Sequence, residues 1–293
     1  LVKESQGALI VDLEAHGLPP CLLRKKDGAT LYITRDLAAA IYRHESYSFE
    51  KMLYVVGAEQ TLHFKQLFKV LELAGLDWSS KCYHIPFGLI RFPDGRMSTR
   101  EGKTIFLEEV LNRAVKLARE IIEEKNPEHP NKDKAARAVG LGAVIFGDLS
   151  NDRIKDIDFD WDKILDFSGE TAPYIQYAHA RIHSILRKAG FKPGSLPCQD
   201  VSGLDSPPEE QLVISLSLLP QQLQRTLAEN KPSILARYLI DVAKDFNKFY
   251  HNCPVLTAKP PELKEARLLL CDATRQVLAT GLNLLGIEAP AEM

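Results

Sequence analysis

The sequence predicts an α/β region followed by an all-α helix bundle. Up to about residue 100, short β-like runs alternate with helical patterns, which is typical of strands and helices packed in layers. Beyond residue 104, almost every segment has apolar residues spaced three and four apart, which is typical of amphipathic helices. We therefore expect two domains, over residues 1–167 and 168–293, with the change near residue 168.

The α/β region contains one clear strand–helix–strand unit. Its predicted elements are strands at 8–11 and 30–34, a helix at 35–45, a strand at 52–57, a helix from Thr61 to Gly75 and a β-like run at 83–90. The run at 52–57 is continuously apolar and ends in Gly57, as expected of a strand buried in a parallel sheet. The order from residue 52 onward is that of a βαβ unit.

The pattern of the second region predicts helices that are separated by prolines. The predicted helices are 107–125, 132–149, 171–190, 208–229, 232–251 and 261–285. No apolar run approaches the roughly 20 residues that a membrane span requires. The sequence therefore predicts no membrane association.

Composition narrows the class of protein. The 293 residues are 45% hydrophobic and 26% charged, which excludes a disordered chain and a collagen. The net charge is −2 overall, −2 for residues 1–167 and 0 for 168–293, so any nucleic-acid binding must depend on local patches. The five cysteines form no CxxC pair, which is typical of a reducing, cytoplasmic location and indicates no structural zinc site.

The most informative short stretch is the glycine-flanked loop at residues 94–103. It carries three cations and two hydroxyl groups: Arg96, Ser98, Thr99, Arg100 and Lys103. Cations and hydroxyl donors on a flexible backbone suit a polyphosphate whose charge spreads as pyrophosphate leaves. The simpler interpretation is a polar hairpin turn, and the loop is not a Walker P-loop because it lacks GxxxxGK[ST].

A second candidate site lies around residues 32–63. Tyr32 and Asp36 are placed near the end of a predicted strand, where open parallel sheets bind ligands. A carboxylate there could accept two parallel charge-assisted hydrogen bonds from a cationic substrate. Gln60 and His63, three residues apart on a helix, would face the same way. Taken singly, Asp36 could equally be a helix-terminal charge and His63 a surface or core histidine.

A basic stretch marks the start of the helix bundle. No acidic residue occurs over 171–199. Tyr174, Tyr177 and Arg181 all lie on the helix that is predicted there. Aromatic faces beside a basic track suit unstacked RNA bases, at about 1–3 kcal/mol per stacked base. The alternative is that the tyrosines belong to the core and the cations to a solvated face.

Five runs in the same order resemble the arginyl-tRNA synthetases. They are KDGATLYITRDLAAAIYR, YVVGAEQTLHFKQLF, FPDGRMSTREGK, DLSNDRIKDIDFDWDKILDFSGETAPYIQYAHARIHSILRKAG and YLIDVAKDFNKFYHNCPVLTA with the later RLLLCDATRQVLATGLNLLGI. The resemblance covers essentially the whole chain. It implies a partial Rossmann-like nucleotide-binding domain of class I, with connecting helices, over 1–167. An all-α helix-bundle anticodon-binding domain of the DALR type would then occupy 168–293.

The resemblance also implies a reaction and assigns residues to it. ATP and arginine would give arginyl-adenylate and pyrophosphate, and the arginyl group would pass to the terminal adenosine of tRNA(Arg). Arginine would be bound by Tyr32, Asp36 and Gln60. ATP, arriving with Mg²⁺ and without a dedicated metal site, would be bound by His63 and by the KMSKS-like loop residues Arg96, Met97, Ser98, Thr99, Arg100 and Lys103. The tRNA would be contacted by Tyr174, Tyr177 and Arg181, and the enzyme is expected to be a monomer.

One departure from the class I pattern leads us to expect a fragment. The HIGH motif is missing, because His84-Ile-Pro-Phe-Gly88 only superficially resembles it. We expect the chain to be a C-terminal portion that forms no adenylate alone. Two alternatives remain: an RNA-binding module that has lost catalysis, against which retention of Asp36 and Gln60 argues, and a class I synthetase for another amino acid such as cysteine.

Two apparent metal motifs lack essential residues. His179 and His183 have i, i+4 spacing, but Ala180 stands where HExxH requires glutamate. The alternating acids at 156–162 begin like an EF-hand loop, but Trp161 occupies the position that requires glycine.

Overall fold

The computed structural model describes residues 1–91, 106–194, 201 and 203–293. These residues form two compact units. The first, the N-terminal unit, comprises Leu1–Leu89 with Ile154–Asp156, and the second, the helical unit, comprises Ile90–Arg153 with Ile157–Met293. The helical unit thus includes the connecting helices that precede residue 168. The sequence-based domain boundary near residue 168 stays a prediction.

The N-terminal unit contains two small sheets and two main helices. Its elements are β1 (Val2–Ser5), β2 (Ala8–Val11), β3 (Cys21–Arg24), α1 (Tyr32–Tyr47), β4 (Met52–Gly57), α2 (Thr61–Leu73) and β5 (Cys82–Phe87). Strands β1, β2 and β3 form an antiparallel sheet in that order. Strands β4 and β5 pair in parallel, with Met52 opposite Cys82, and α2 connects them. The predicted βαβ unit is therefore present.

The core of the N-terminal unit lies between α1, α2 and the strands. Phe64, Leu67 and Leu71 on α2 are buried at helical spacing and pack with Tyr54 of β4 and Cys82 of β5. Burying these apolar side chains contributes roughly 1.5–3 kcal/mol each. This packing fixes α2, and with it the residues at its N-terminus, against the parallel strands.

The strand predicted at 30–34 is wrong. Only Thr30 makes a strand-like bridge, to Arg24, and α1 begins at Tyr32. Ile33 and Ala40 are buried at helical spacing, and the Thr34 hydroxyl donates to the Leu23 carbonyl at 2.5 Å. The β-branched run misled the prediction, because burial against the core at a period of 3.6 outweighs local strand propensity.

The helical unit contains two short strands and eight helices within its described residues. They are β6 (Ile90–Arg91), α3 (Leu107–Lys125), α4 (Lys132–Leu149), β7 (Ile157–Asp158), α5 (Trp161–Ile164), α6 (Ala172–Lys188), α7 (Pro207–Ser217), α8 (Leu219–Glu229), α9 (Pro232–Asn252) and α10 (Pro261–Leu284). The core packs α6, α9 and α10 together, with large buried side chains such as Phe146, Phe246 and Leu239. A second cluster joins α3 to α4 through alanines and Ile122.

The single helix predicted over 208–229 is two helices that meet at Leu218. Pro220 lies in the first turn of α8. Proline has no N–H and its ring clashes with the carbonyl four residues earlier, so a continuous helix cannot pass through it. The other helices predicted in this unit agree with the structure to within about two residues at each end.

Candidate functional site

The first candidate site is the N-terminal half of α1. Tyr32 is the first residue of the helix and is 80% exposed. Asp36 follows four residues later, which places its carboxylate on the same face as the tyrosine. Helix α1 is held to β3 by the Thr34 bond to Leu23, so this face is fixed relative to the sheet. The arrangement presents an aromatic ring and an acid side by side at the surface.

His63 of α2 contacts this acid directly. The His63 Nε2 lies 2.7 Å from Asp36 Oδ2, and the two side chains are 22% and 40% exposed. The buried Phe64 meets the His63 ring edge-on, with ring centroids 5.2 Å apart. The contact holds the carboxylate in one place but leaves it open to solvent on another side. A carboxylate so placed can bind a cationic group.

Gln60 stands close in sequence to His63 but makes no described contact with Asp36 or Tyr32. It is an exposed residue at the N-terminus of α2, in the short turn that follows β4. This turn lies at the carboxyl end of a parallel strand, the usual place for ligands in open α/β sheets. Thus the structure brings Asp36 and His63 into contact. Gln60 lies in the same N-terminal unit but makes no described contact with Asp36. The assignment of His63 to ATP stays a prediction.

The predicted phosphate-binding loop is not among the described residues. Its members are Arg96, Met97, Ser98, Thr99, Arg100 and Lys103, and all lie in the range 92–105. Their assignment to ATP stays a prediction.

The second candidate site is a recess in the helical unit. It has a volume of about 570 Å³ and is lined by residues of α6, α9 and the connection between α3 and α4, together with residues 291–293. Tyr177 is 44% exposed, and the Arg181 guanidinium lies 4.7 Å from its ring centroid and 5.1 Å from that of Tyr250. One cation therefore bridges two aromatic faces at the rim, an arrangement that suits a stacked nucleic-acid base.

Tyr174 has a different environment from Tyr177. It packs against the core, and its hydroxyl accepts a hydrogen bond of 2.8 Å from Asn247 Nδ2. The Oδ1 atom of Asn247 in turn accepts from Arg181 at 2.8 Å. Tyr174 is thus linked to the recess through Asn247, whereas Tyr177 lines it.

Among the lining residues that the sequence interpretation missed are His129, Tyr250 and Met293. His129 is 7% exposed, and its Nδ1 accepts the Asn131 N–H, so a neutral ring carries its proton on Nε2. Within the described chain, Nε2 is buried without a partner. Tyr250 comes from α9, 73 positions after Tyr177, and no local pattern could have joined them. A lone histidine between two prolines was the only available signal for His129.

No metal site is found in the described part of the chain. No group of three or more His, Cys, Asp or Glu side chains there has the geometry to hold an ion. His179 Nδ1 instead lies 2.8 Å from the Pro290 carbonyl, and the His183 ring meets that of His179 at 4.7 Å. Asp160, from the run of alternating acids, accepts the N–H groups of Asp162 and Lys163 and caps α5.

Burial of His179 makes the stability of the helical unit depend on pH. Desolvation lowers the pKa of His179 from 6.5 to about 4. The folded protein therefore keeps this ring neutral at pH values where the unfolded chain binds a proton. As the pH is lowered from 6.5 to about 4, the free energy of unfolding should therefore fall by about 1.4 kcal/mol per pH unit from this group alone.

Urea unfolding at several pH values tests this linkage. The variant His179→Leu lacks the titrating group, so its stability should decline less steeply than that of the wild type between pH 6.5 and 4. If the free energy of unfolding falls equally steeply with pH in the two proteins, His179 does not titrate differently in the folded and unfolded states.

Comparison with known proteins identifies the family. The family described as tRNA synthetases class I (R), catalytic domain, matches residues 1–161, more than half of the chain. The chain belongs to the class I (R) tRNA synthetases. The DALR anticodon binding domain matches residues 175–293. The expected fold class, a class I catalytic domain followed by an all-α domain of the anticodon-binding type, is confirmed, and so is the resemblance.

Individual relatives agree with this membership. The arginine–tRNA ligases of Halothermothrix orenii and Clostridium kluyveri are 48% and 50% identical over all 293 residues. The chain spans about half the length of these relatives, 51% and 52% respectively.

Two solved structures share the fold. The Thermus thermophilus arginyl-tRNA synthetase superposes with a TM-score of 0.90 at 33% identity, over 99% of this chain and 55% of that one. The synthetase from Plasmodium falciparum gives 0.83 at 25% identity, over 100% and 50%. In the described part of the chain, no helix is both long enough and apolar enough to cross a membrane.

Proposed function

We propose that the chain is part of an arginine–tRNA ligase. The observation that carries the proposal is the sequence identity of 48–50% with such ligases over all 293 residues. In the proposed reaction, a carboxylate oxygen of arginine attacks the α-phosphorus of ATP, and pyrophosphate leaves. A hydroxyl of the terminal adenosine of tRNA(Arg) then attacks the carbonyl carbon of arginyl-adenylate, and AMP leaves.

Asp36 is proposed to select the amino acid. The guanidinium of arginine offers two parallel N–H donors that match the two oxygens of a carboxylate. The His63 contact to Oδ2 holds that carboxylate in place, and the exposed Tyr32 ring lies on the same helix face. Gln60, at the carboxyl end of β4, is proposed to complete the arginine pocket.

ATP is proposed to bind with Mg²⁺ as a substrate. The candidate partners of its phosphates are His63 and the loop residues Arg96, Met97, Ser98, Thr99, Arg100 and Lys103. No resident metal ion is proposed, and magnesium would arrive on the nucleotide. Adenylate formation is not expected from this chain alone, since its sequence has no HIGH motif. We further propose a monomeric enzyme in the cytoplasm, where its substrates occur.

The recess in the helical unit is proposed to receive an unstacked tRNA base from the anticodon loop. Tyr177 and Tyr250 supply ring faces, and Arg181 supplies a cation that can also pair with a phosphate. Arg187 at the same recess pairs with Glu292, so it is less free to neutralise RNA than Arg181. Tyr174 is proposed to act through Asn247 on Arg181.

Replacing Tyr177 should weaken RNA binding without unfolding the helical unit. Its ring is 44% exposed, so Tyr177→Ala removes a stacking surface worth about 1–3 kcal/mol and should raise the Kd about 5- to 150-fold. The measurement is fluorescence anisotropy of a hairpin RNA carrying the arginine anticodon arm, titrated with this chain at fixed salt.

Tyr42 provides the matched control. It is a 64% exposed tyrosine of the N-terminal unit, and Tyr42→Ala should leave the Kd unchanged. Tyr174→Ala should also weaken binding, but with a loss of stability because that ring packs on the core. If Tyr177→Ala binds the hairpin RNA with the same Kd as the wild type, the recess is not part of the RNA interface.

A further inference from the structure

Residues 287–293, here called the closing segment, lie across the helical unit and form one wall of the recess. Ala291, Glu292 and Met293 line it directly. The segment has no regular secondary structure, and only its first residue is bonded to a helix, because the Ile287 N–H donates to the Leu282 carbonyl of α10. Beyond Ile287, the described residues hold it through side chains of neighbouring elements.

Two buried side chains on α6 hold the closing segment. The Gln176 Nε2 donates to the Glu288 carbonyl at 2.8 Å and to the Ala138 carbonyl of α4 at 3.1 Å. The His179 Nδ1 lies 2.8 Å from the Pro290 carbonyl, and because a carbonyl only accepts, Nδ1 carries the proton. Gln176 is 0% exposed and His179 2%. Both bonds are therefore shielded from competing water.

The packing around Gln176 leaves little freedom. Gly142 on α4 lies so close that a Cβ there would be 2.9 Å from Gln176 Nε2 and 2.9 Å from Ile287 Cγ2. A glycine is thus needed for α4, Gln176 and the closing segment to meet. At the far end, Asn126 Nδ2 donates to the Met293 carbonyl at 3.2 Å. Side chains thus hold three backbone carbonyls of the closing segment, and Arg187 pairs with the Glu292 side chain.

Helix α6 carries the holding residues and the recess residues on adjacent faces. Gln176 and His179 are directed into the protein, whereas Tyr177 and Arg181 line the recess. We propose that Gln176 and His179 are positioning residues that set RNA affinity by fixing the closing segment as a wall of the recess, without touching RNA. This proposal rests on the proposed function of the recess. The occupant is a single-stranded nucleic-acid base.

The test pairs a variant that removes each bond with one that restores it. His179→Leu removes the donor to Pro290, whereas His179→Asn places an amide N–H near the former Nδ1. Gln176→Leu removes both carbonyl bonds. Hydrogen–deuterium exchange of the amides in 287–293 reports release of the segment, and anisotropy with the anticodon-arm hairpin reports affinity. Both are measured on the full chain at a temperature where each variant remains folded by circular dichroism.

For His179→Leu and Gln176→Leu we expect faster hydrogen–deuterium exchange of the amides in the closing segment. The Kd for the hairpin should increase about fivefold or more in both variants, since the loss of one hydrogen bond corresponds to about a factor of five in an equilibrium constant. His179→Asn should recover most of the affinity. Tyr238→Phe is the matched control, because it removes a buried bond to the Ser215 carbonyl at 3.0 Å in the same unit, away from the segment. It should lower stability and leave the Kd unchanged.

Two results would overturn the proposal. One is a released closing segment with unchanged affinity, and the other is an equal loss of affinity in Tyr238→Phe, which would indicate general destabilisation. If the wild-type chain fails to bind the hairpin, the proposed function of the recess fails as well. Exchange in 287–293 would then still show separately whether Gln176 and His179 hold the segment.

Discussion

The variant Asp36→Ala, made in a longer protein that includes the rest of the synthetase, should raise the KM for arginine by about 100-fold or more. The change removes the carboxylate proposed to accept two charge-assisted bonds from the guanidinium. Hydrogen bonds to charged groups contribute about 1.5–3 kcal/mol each, and two of them correspond to a factor of roughly 10²–10⁴. The KM for ATP should change much less, because Asp36 is not proposed to contact the nucleotide and can affect it only through His63.

Arginine-dependent exchange of pyrophosphate into ATP measures both constants. Asp36→Asn should lose arginine affinity nearly as strongly, since it keeps a polar group near His63 but loses the charge. Asp27→Ala is a suitable control: that carboxylate lies in the same unit but accepts only a backbone bond from Ala29, at 3.0 Å. Equal losses for arginine and ATP would contradict the assignment of Asp36 to the amino acid.

The variant Gly140→Ala should destabilise the helical unit by about 1–3 kcal/mol or more. Gly140 lies where α4 crosses α3, and a Cβ there would be 2.6 Å from both Cα and N of Val115 and 2.8 Å from the carbonyl carbon of Ala114. These are backbone atoms, so the helices must separate to admit the methyl group. Separation exposes the alanine-rich contact that includes Ala118 and Ala136, both fully buried.

Thermal unfolding followed by circular dichroism measures this loss, expected as a drop in Tm of roughly 2–12 °C. Gly147→Ala on the same helix is the matched control. A Cβ there would be 3.1 Å from Ile164 Cγ2, a side-chain contact that a shift of a few tenths of an ångström relieves, and alanine favours a helix over glycine by about 1 kcal/mol. It should therefore be neutral or slightly stabilising. Equal stability of Gly140→Ala and wild type would show that the α3–α4 contact can widen freely.

The elements that sequence reasoning located best are those with strong local signals. The helices at 107–125 and 132–149 were predicted to the residue, because Pro127 and Pro130 separate two clear amphipathic patterns. The βαβ order after residue 52 followed from an apolar run that ends in glycine. Strand β3 was not predicted, since four residues that pair with β2 and, through Arg24, with Thr30 have no local signature.

In the candidate sites, residue types and local spacing could be predicted from the sequence, whereas contacts between distant residues could not. The type and spacing of Tyr32 and Asp36 could be read from the chain, but their place on one helix could not, because the start of α1 depends on burial of Ile33. The contact between Asp36 and His63 joins residues 27 apart. The recess is assembled from two helices, one connection and the closing segment. Only the folded chain brings Arg181 between Tyr177 and Tyr250.

We propose that this chain belongs to an enzyme that activates arginine. Pyrophosphate exchange by the longer protein tests this with each of the standard amino acids, and with citrulline, which keeps the shape of arginine but has a neutral ureido group. We expect exchange with arginine, and little or none with citrulline, cysteine or lysine. Exchange driven equally well by citrulline, or better by another amino acid, would contradict this proposal.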